Sequence, residues 1–249
     1  MVTVERPSTG GTARGTAARG GAPVRRRPPR FSSVHLKVIM ATTGAVLVLY
    51  LVAHMLGNLK IFFGEQSLNT YAHWLRVVGE PALPAQGLLW FTRVALLVAV
   101  VAHLVAATVR ARRARRARPI RYAHRRPVST SYASRTMRWG GVIILLFVIY
   151  HILDLTTGTL NPVGDKAHPY ANVVADFAPG RWYVTLFYTL AILAVGLHLQ
   201  HGIFSAVRTL GQRTARGERI ARGAALLLSV VLVVGYLSVP FAVLTGLVD

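Results

Sequence analysis

The chain contains 249 residues, of which 53% are hydrophobic and 15% are charged. Soluble domains carry about 25% charged residues, so this composition excludes an ordinary soluble protein. The formal net charge of +21 fits a protein that binds nucleic acid or one at a membrane. The basic residues lie between long apolar runs, which argues against nucleic acid. The absence of cysteine excludes disulfides, thiolate-bound iron–sulfur clusters and c-type haem in this chain, so any metal must be bound through its nine histidines.

The first 32 residues are rich in Gly, Ala, Thr, Pro and Arg and have no apolar periodicity. Such a segment cannot bury enough apolar surface to offset the entropy lost on ordering. We therefore expect residues 1–32 to be a disordered basic tail and residues 33–249 to form one membrane domain.

Five apolar runs follow this tail, and each is close to the roughly 20 residues that an α-helix needs to cross about 30 Å of hydrocarbon. Backbone groups inside lipid must be hydrogen-bonded within their own segment. The fold class predicted is therefore all-α, an integral membrane bundle of five transmembrane helices. The runs cover residues 38–59, 88–109, 139–156, 182–207 and 224–248.

The basic residues predict the orientation of these helices. Of the 29 Lys and Arg residues, eight lie before the first run, eleven in residues 110–138 and five in residues 208–222. Loops rich in Lys and Arg remain on the cytoplasmic side. We therefore expect a cytoplasmic N-terminus, two cytoplasmic basic loops and an external C-terminus.

Each of the first four runs contains one deeply placed histidine. Ionisable residues inside a membrane are costly and indicate function, although a single histidine often only joins two helices by a hydrogen bond. Measured from the cytoplasmic basic boundary, His54 and His151 lie ~26 and ~20 Å deep, at 1.5 Å per residue. On the same scale His103 and His198 lie only ~10 and ~15 Å deep. The depths predict an outer pair, His54 with His151, and an inner pair, His103 with His198.

Two histidines on facing helices at one depth can bind a haem iron from both sides. A bis-histidine haem has no open coordination position, so it suits electron transfer better than oxygen chemistry. Zinc is the competing metal, but it requires a third and a fourth ligand. Two such haems, one above the other, would conduct electrons across the bilayer.

These residues resemble the two-haem cytochrome b membrane subunit of succinate:menaquinone oxidoreductases and the related fumarate reductases. The resemblance covers about residues 33–241. Its most specific stretches are HMLGNLKIF at 54–62, NTYAHWLR at 69–76, YHILDL at 150–155 and LHLQHGIFSA at 197–206.

The resemblance implies a membrane anchor and electron-transfer subunit of succinate dehydrogenase in a bacterial cell membrane. It implies two haems b, the outer one bound by His54 and His151 and the inner one by His103 and His198, with menaquinone as substrate. The implied partners are a flavoprotein subunit that oxidises succinate, an iron–sulfur subunit and membrane lipid. No succinate chemistry is expected in this chain, and a homo-oligomer of the complex remains open.

The chain departs from some fumarate reductases of this family at Gly196. In those relatives a glutamate two residues before the fourth-helix histidine helps to carry a compensating proton. That route, and the direction of the reaction, therefore cannot be transferred. Two other functions remain open: a cytochrome b anchor of a hydrogenase or formate dehydrogenase, and a haem-free transporter whose histidines relay protons.

Three further polar residues have alternative interpretations. Asp154, one turn beyond His151, could accept a hydrogen bond from a haem ligand, exchange protons with quinone, or be an ordinary boundary acid. Arg93 could pair with a propionate of the outer haem or extend to the membrane interface. His201 could bond a propionate or face the cytoplasmic interface.

The connection between the first and second runs alternates aromatic and polar residues, as in NTYAHW. We expect it to line a quinone headgroup pocket near the outer face, although an aromatic interface belt has a similar composition. Among its titratable residues we rank His73 first, because its ordinary pKa near 6.5 suits proton exchange at neutral pH. The predicted quinone-site residues are Asn58, Glu65, His73, Trp74, Arg76 and Asp154.

Overall fold

The computed structural model describes residues 32–117, 130–209, 211 and 214–249, with side chains omitted for residues 130–136. The predicted tail, residues 1–32, lies outside this range except for Ser32. Ser32 begins the described chain as a helix cap, because its hydroxyl accepts a hydrogen bond from the backbone N–H of His35 at 3.3 Å.

Seven α-helices and no strands occur within the described residues. Five of the helices, α1, α3, α4, α6 and α7, are long and apolar enough to cross a membrane, which confirms the predicted fold class. The helices are α1 Ser33–Asn58, α2 Glu65–Val77, α3 Gly87–Arg116, α4 Thr130–His151, α5 Pro169–Phe177, α6 Trp182–Thr209 and α7 Ala215–Leu244.

Two helices extend beyond the apolar runs at their basic ends. α3 continues to Arg116, because Ala and Arg favour helix and positive charge is favourable in a last turn. α7 begins at Ala215, where the Thr214 hydroxyl accepts a hydrogen bond from the N–H of Gly217 at 3.1 Å. α7 ends at Leu244, four residues before its apolar run does, and Gly246 has a φ of 73° just beyond it.

The outward faces of the bundle are apolar. Leu49, Leu97, Leu197 and Leu227 are each at least 65% exposed, and they lie on four different long helices. A soluble monomer rarely exposes so much contiguous apolar surface. The chain is therefore a multi-pass membrane protein whose exposed leucines face lipid.

Small residues allow the long helices to pack closely. A Cβ atom at Gly196 of α6 would lie 2.5 Å from Cγ2 of Val233 on α7. A Cβ at Gly235 of α7 would likewise overlap the sulfur of Met55 on α1. Close packing thus accounts for the glycine at 196, because a glutamate side chain has no space there.

Two short helices at the end of the bundle away from the basic segments were not predicted from the sequence. α2 follows a 3-10 turn at Leu59–Phe63, and α5 begins at Pro169, a residue suited to a first helical turn. The N–H of Tyr170 on α5 donates to the side-chain oxygen of Asn69 on α2 at 3.2 Å. Ile61, Leu68 and Phe177 then pack with residues of α6 and α7 in a buried cluster that closes the outer end of the bundle.

Candidate functional site

The four membrane histidines lie in two pairs. The ring centres of His54 on α1 and His151 on α4 are 5.8 Å apart, with an interplanar angle of 78°. Those of His103 on α3 and His198 on α6 are 6.5 Å apart at 60°. Since bonds from imidazole nitrogen to a metal such as zinc are about 2.0–2.1 Å, both gaps leave room for one metal ion. The structure brings together the same pairs that the depths predict.

In the inner pair, a hydroxyl on α1 orients one imidazole. Thr43 Oγ1 donates to the carbonyl of Ile39 at 2.6 Å and lies 3.1 Å from Nδ1 of His103. Because that hydroxyl proton is already used, its oxygen accepts the Nδ1–H of His103. This assignment leaves the lone pair on Nε2 of His103, the form in which a histidine binds a metal.

The second imidazole of the inner pair has an unpaired atom. Nδ1 of His198 is buried and has no hydrogen-bond partner in the described part of the chain. An unsatisfied buried polar atom costs about 1–3 kcal/mol. If Nε2 of His198 binds a metal, its Nδ1–H lacks, among the described residues, the kind of acceptor that Thr43 gives His103.

In the outer pair, a tyrosine on α6 takes the place that Thr43 has in the inner pair. The hydroxyl of Tyr188 donates to Oδ2 of Asp154 at 2.8 Å and lies 3.4 Å from Nδ1 of His151. The second distance is longer than a typical hydrogen bond. The direction is nevertheless the same as in the inner pair, with the histidine Nδ1–H pointing to the hydroxyl oxygen. On the other side, the ring of Tyr50 stacks on His54 at 5.3 Å.

Asp154 is fully buried because the end of α4 changes its winding. Residues Ile152–Thr156 form a π turn, closed by the N–H of Thr157 donating to the carbonyl of Ile152 at 2.8 Å. Such turns are frequent at functional sites. The turn places the Asp154 side chain inside the bundle with 0% exposure, which contradicts its interpretation as an ordinary boundary acid.

A second buried carboxyl, Asp176 at the end of α5, lies within hydrogen-bonding reach of Asp154. Its Oδ1 accepts a hydrogen bond from Nη2 of Arg181 at 2.8 Å. Burial raises the pKa of Asp176 to about 7, and the hydrogen bond with Asp154 acts in the same direction, while Arg181 opposes the shift. The two carboxyls therefore form a buried acid pair beside Tyr188.

The loop before α5 is held by side-chain hydrogen bonds. Asn172 donates through Nδ2 to the carbonyl of Asp165 at 2.6 Å and accepts the N–H of Asp165 at 2.9 Å. Gly158 and Gly164, both with positive φ, lie so close that a Cβ on Gly158 would be 2.8 Å from the backbone of Gly164. This compact loop fixes α5, and with it Asp176, over the end of α4.

Each histidine pair lacks a third protein ligand. The described residues contain no group of three or more His, Asp or Glu side chains that could hold a metal ion. Structural and catalytic zinc sites use four or three protein ligands. Two facing imidazoles fit the two axial positions of a haem iron instead.

Two other predicted residues lie near the pairs. The guanidinium of Arg93 stacks over the ring of Trp90 at 5.1 Å and interacts electrostatically with Tyr50, the residue that stacks on His54. His201 is exposed, which fits the interpretation that it faces the membrane interface.

The structure does not bring all predicted quinone residues together. Trp74 lines an open cavity of about 590 Å³ on α2, together with Lys60 and Tyr71. Glu65 and His73 are exposed and are not among the residues lining this cavity. The remaining predicted residues lie elsewhere: Asn58 ends α1, Arg76 donates to the carbonyl of Lys166, and Asp154 lies in the acid pair.

Four residues of these sites were missed in the sequence. They share no motif and are brought to the histidines by tertiary packing. They are Thr43, Asp176, Arg181 and Tyr188. The one usable signal was Asp176, one of only eight acidic residues and located directly before the fourth apolar run.

Comparison with known families gives one match. The family model described as succinate dehydrogenase/fumarate reductase transmembrane subunit matches residues 110–237, just over half of the chain. The match includes the basic segment after α3, the helices α4 and α6 and most of α7. Searches of curated proteins and of solved structures found no match. The chain belongs to the succinate dehydrogenase/fumarate reductase transmembrane subunit family, the cytochrome b membrane anchors of these complexes.

Proposed function

We propose that this chain passes electrons from the iron–sulfur subunit of a succinate dehydrogenase through two haems b to menaquinone. The observation that carries the proposal is the pairing of four membrane histidines, with ring centres 5.8 and 6.5 Å apart, at two levels of one bundle. The family supports a succinate or fumarate complex over a hydrogenase or formate dehydrogenase anchor.

The residues divide into ligands and orienting groups. His103 and His198 would hold the inner haem, and His54 and His151 the outer haem. A bis-histidine haem, when bound, accepts and donates one electron without opening a coordination position. Thr43 and Tyr188 fix the tautomer and the ring orientation of one ligand in each pair.

The orientation proposed places the inner pair toward the cytoplasm of a bacterial cell. The basic end of α3, through Arg116, and the basic start of α7, from Ala215, lie at that end of their helices. The iron–sulfur and flavoprotein subunits would dock there, where positive charge assists association with an acidic partner. Electrons would then enter at the inner haem and leave at the outer one.

The quinone site proposed lies at the outer end, in the cavity on α2. Tyr71 packs against Gly57, one turn after His54, so closely that a Cβ on Gly57 would be 2.8 Å from the Tyr71 ring. Tyr71 and Trp74 stack with their ring centres 6.0 Å apart and their planes 22° apart. A flat quinone headgroup would bind to these rings, one helical turn from a ligand of the outer haem.

The remaining predicted quinone residues have supporting places in this proposal. Arg76 anchors α2 to the loop before α5 by donating to the Lys166 carbonyl. Asn58 lies between His54 and the cavity in the chain. Glu65 and His73, both exposed on α2, would exchange protons between the cavity and the external water.

Reduction by succinate tests the proposal directly. The complete complex, with its flavoprotein and iron–sulfur subunits, is purified, and haem spectra are recorded after succinate and then after a menaquinone analogue. We expect succinate to reduce haem in the chain and the analogue to reoxidise it. A colourless chain would support the transporter alternative instead. Haem that succinate cannot reduce would contradict the electron path. Replacing a paired histidine should lower the haem that succinate reduces. His35→Ala and His168→Ala, at exposed histidines, are the matched controls for such variants and should keep it.

A further inference from the structure

The buried acid pair has an unusual hydrogen-bond arrangement. Oδ2 of Asp154 accepts from the hydroxyl of Tyr188, and Oδ1 of Asp176 accepts from Arg181, both at 2.8 Å. The other two oxygens, Oδ1 of Asp154 and Oδ2 of Asp176, are buried and have no donor in the described part of the chain. The two carboxyls nevertheless lie within hydrogen-bonding reach of each other. A proton shared between the two carboxyls would supply this buried pair with the donor that it lacks.

The charges around the pair also favour the state in which the two carboxyls share one proton. Two ionised carboxylates at one buried site repel each other, so one of them retains a proton. The charged and titratable groups that face the pair are Tyr150 from α4, Tyr188 from α6 and Arg181 from the turn before α6. Arg181 is the single cation among them, and it balances one negative charge. The pair with one proton, together with Arg181, is therefore electrically neutral.

We propose that Asp154 and Asp176 form a proton-binding site that is linked to the oxidation state of the outer haem. The pair binds one proton from the external side when the outer haem gains one electron, and releases it when that electron leaves. Each cycle passes one electron and one proton to the quinone, so two cycles supply the two electrons and two protons that convert a quinone to a quinol. The inference rests on the proposed function, because it requires a haem between His54 and His151.

The link to the haem ligand runs through the hydroxyl of Tyr188, which hydrogen-bonds Asp154 and lies beside His151. Tyr188 contacts Asp154 at 2.8 Å and Nδ1 of His151 at 3.4 Å. When the acid pair is ionised, the Tyr188 oxygen is a stronger hydrogen-bond acceptor for the Nδ1–H of His151. The imidazole of His151 would then donate more electron density to a haem iron. A protonated pair has the opposite effect. Protonation of the pair therefore favours the reduced haem, and reduction of the haem favours protonation.

The pair is also close to the external surface. The side chain of Arg181 is 28% exposed, and Pro179 and Gly180 beside it are exposed. The pKa of Asp176, raised to about 7 by burial and by Asp154, lies where a proton is exchanged readily at neutral pH. Asp154 and Asp176 are the only carboxylates that are buried among the described residues.

Infrared difference spectroscopy of the complete complex tests the proposal. Spectra of the reduced minus the oxidised complex are recorded in H₂O and D₂O, where the carbonyl band of a protonated carboxylic acid is distinct and shifts with deuterium. We expect such a band to change on reduction in the wild type and to be absent in Asp154→Asn and Asp176→Asn. Asp165→Asn, an exposed aspartate on the same side, should retain it. Absence of the band in the wild type would overturn the proposal without any variant.

The midpoint potential of the outer haem as a function of pH gives the second measurement. We expect the potential to fall as the pH rises through about 7 in the wild type, and to lose this dependence in either asparagine variant. Tyr188→Phe should weaken the dependence and leave the infrared band in place. A pH dependence unchanged in both asparagine variants would overturn the proposal. Complexes without haem would instead refute the proposed function, since the visible spectrum reports haem independently of the carboxyl band.

Discussion

The inner and outer histidine pairs each have one imidazole that meets a hydroxyl group. At the inner pair, Thr43 passes its own proton to the backbone carbonyl of Ile39, so the hydrogen-bond chain ends in the helix. At the outer pair, Tyr188 passes its proton to Asp154, and the chain continues to Asp176 and Arg181 near the surface. In both sites a hydroxyl lies beside Nδ1 of one histidine, at 3.1 Å in the inner pair and 3.4 Å in the outer pair, and the acceptor of that hydroxyl differs.

Under the proposed function, this difference separates electron transfer at the inner pair from electron transfer linked to proton binding at the outer pair. The inner site ends in groups that do not titrate, so it is suited to electron transfer alone. The outer site ends in a carboxyl pair with the pKa of one member raised by burial to about 7, so it is suited to electron transfer linked to proton binding.

The largest effect is expected from loss of a ligand. His151→Ala should remove the outer haem and His103→Ala the inner haem, because one imidazole and an alanine cannot hold a six-coordinate iron. Each variant should lose about half of the haem absorbance in a reduced-minus-oxidised spectrum. If both variants removed the same spectral component, the division into an inner and an outer site would be wrong.

The acid pair should make stability depend on pH. The folded-state pKa of Asp176 is raised from its ordinary 3.8 to about 7 by burial and by Asp154, so its contribution to stability is present below about pH 4 and is lost as the pH rises to about 7. The upper bound on this contribution to the free energy of unfolding is about 4 kcal/mol, at 1.36 kcal/mol per pKa unit. Asp176→Asn should remove this loss of stability with rising pH. The measurement is the change in Tm between pH 4.5 and pH 8 in detergent, compared between the variant and the wild type.

Asp165→Asn is the control for that experiment. The hydrogen bond from His168 lowers the pKa of Asp165, so this exposed carboxyl stays ionised over the whole interval. The variant should therefore keep the change in Tm of the wild type. A loss of stability that persists in Asp176→Asn would show that another group is responsible.

Removing the orienting hydroxyls should weaken haem binding at one site each. Tyr188→Phe should affect the outer haem and Thr43→Val the inner haem. Loss of a group that orients a metal ligand typically costs 10–100-fold in affinity, or about 1.4–2.7 kcal/mol. Haem transfer to an apoprotein acceptor measures both. Equal weakening of the two haems by one variant would show a general loss of packing in place of a local effect.

The smallest effect is expected at the cavity on α2. Trp74→Ala removes one stacking ring, worth about 0.5–1.5 kcal/mol, so the KM for a menaquinone analogue should rise about 2- to 13-fold with both haems retained. Trp182→Ala, also exposed at the outer end of the bundle, is the matched control and should leave the KM unchanged. Equal effects of the two substitutions would place the quinone site elsewhere.

The orientation of the chain in the membrane can be tested with single cysteines, because the natural sequence contains none. Arg112→Cys and Lys166→Cys each introduce a single thiol at an exposed position, on the sides proposed to be cytoplasmic and external respectively. In intact cells, a membrane-impermeant reagent should label the thiol at position 166 and leave that at 112 unmodified. Labelling at position 112 would invert the proposed topology.

The sequence predicted the features that repeat along a helix and missed those that depend on tertiary packing. Long apolar runs determined the five crossings, and distance from the basic boundaries was enough to pair His54 with His151. The burial of Asp154 depends on a π turn, and its contact with Asp176 depends on a short helix that no apolar run marks. The six predicted quinone residues were grouped by their position in the chain, which does not determine which side of α2 faces the cavity.

The haem content of the purified chain tests the central claim most directly. Haem and protein are quantified on the same sample of the complete complex, and the flavoprotein and iron–sulfur subunits separated from it serve as the background. The account predicts two haems b per chain, and one after replacement of either His54 or His198. A chain that carries no haem, or one haem that survives replacement of any of the four histidines, would contradict it.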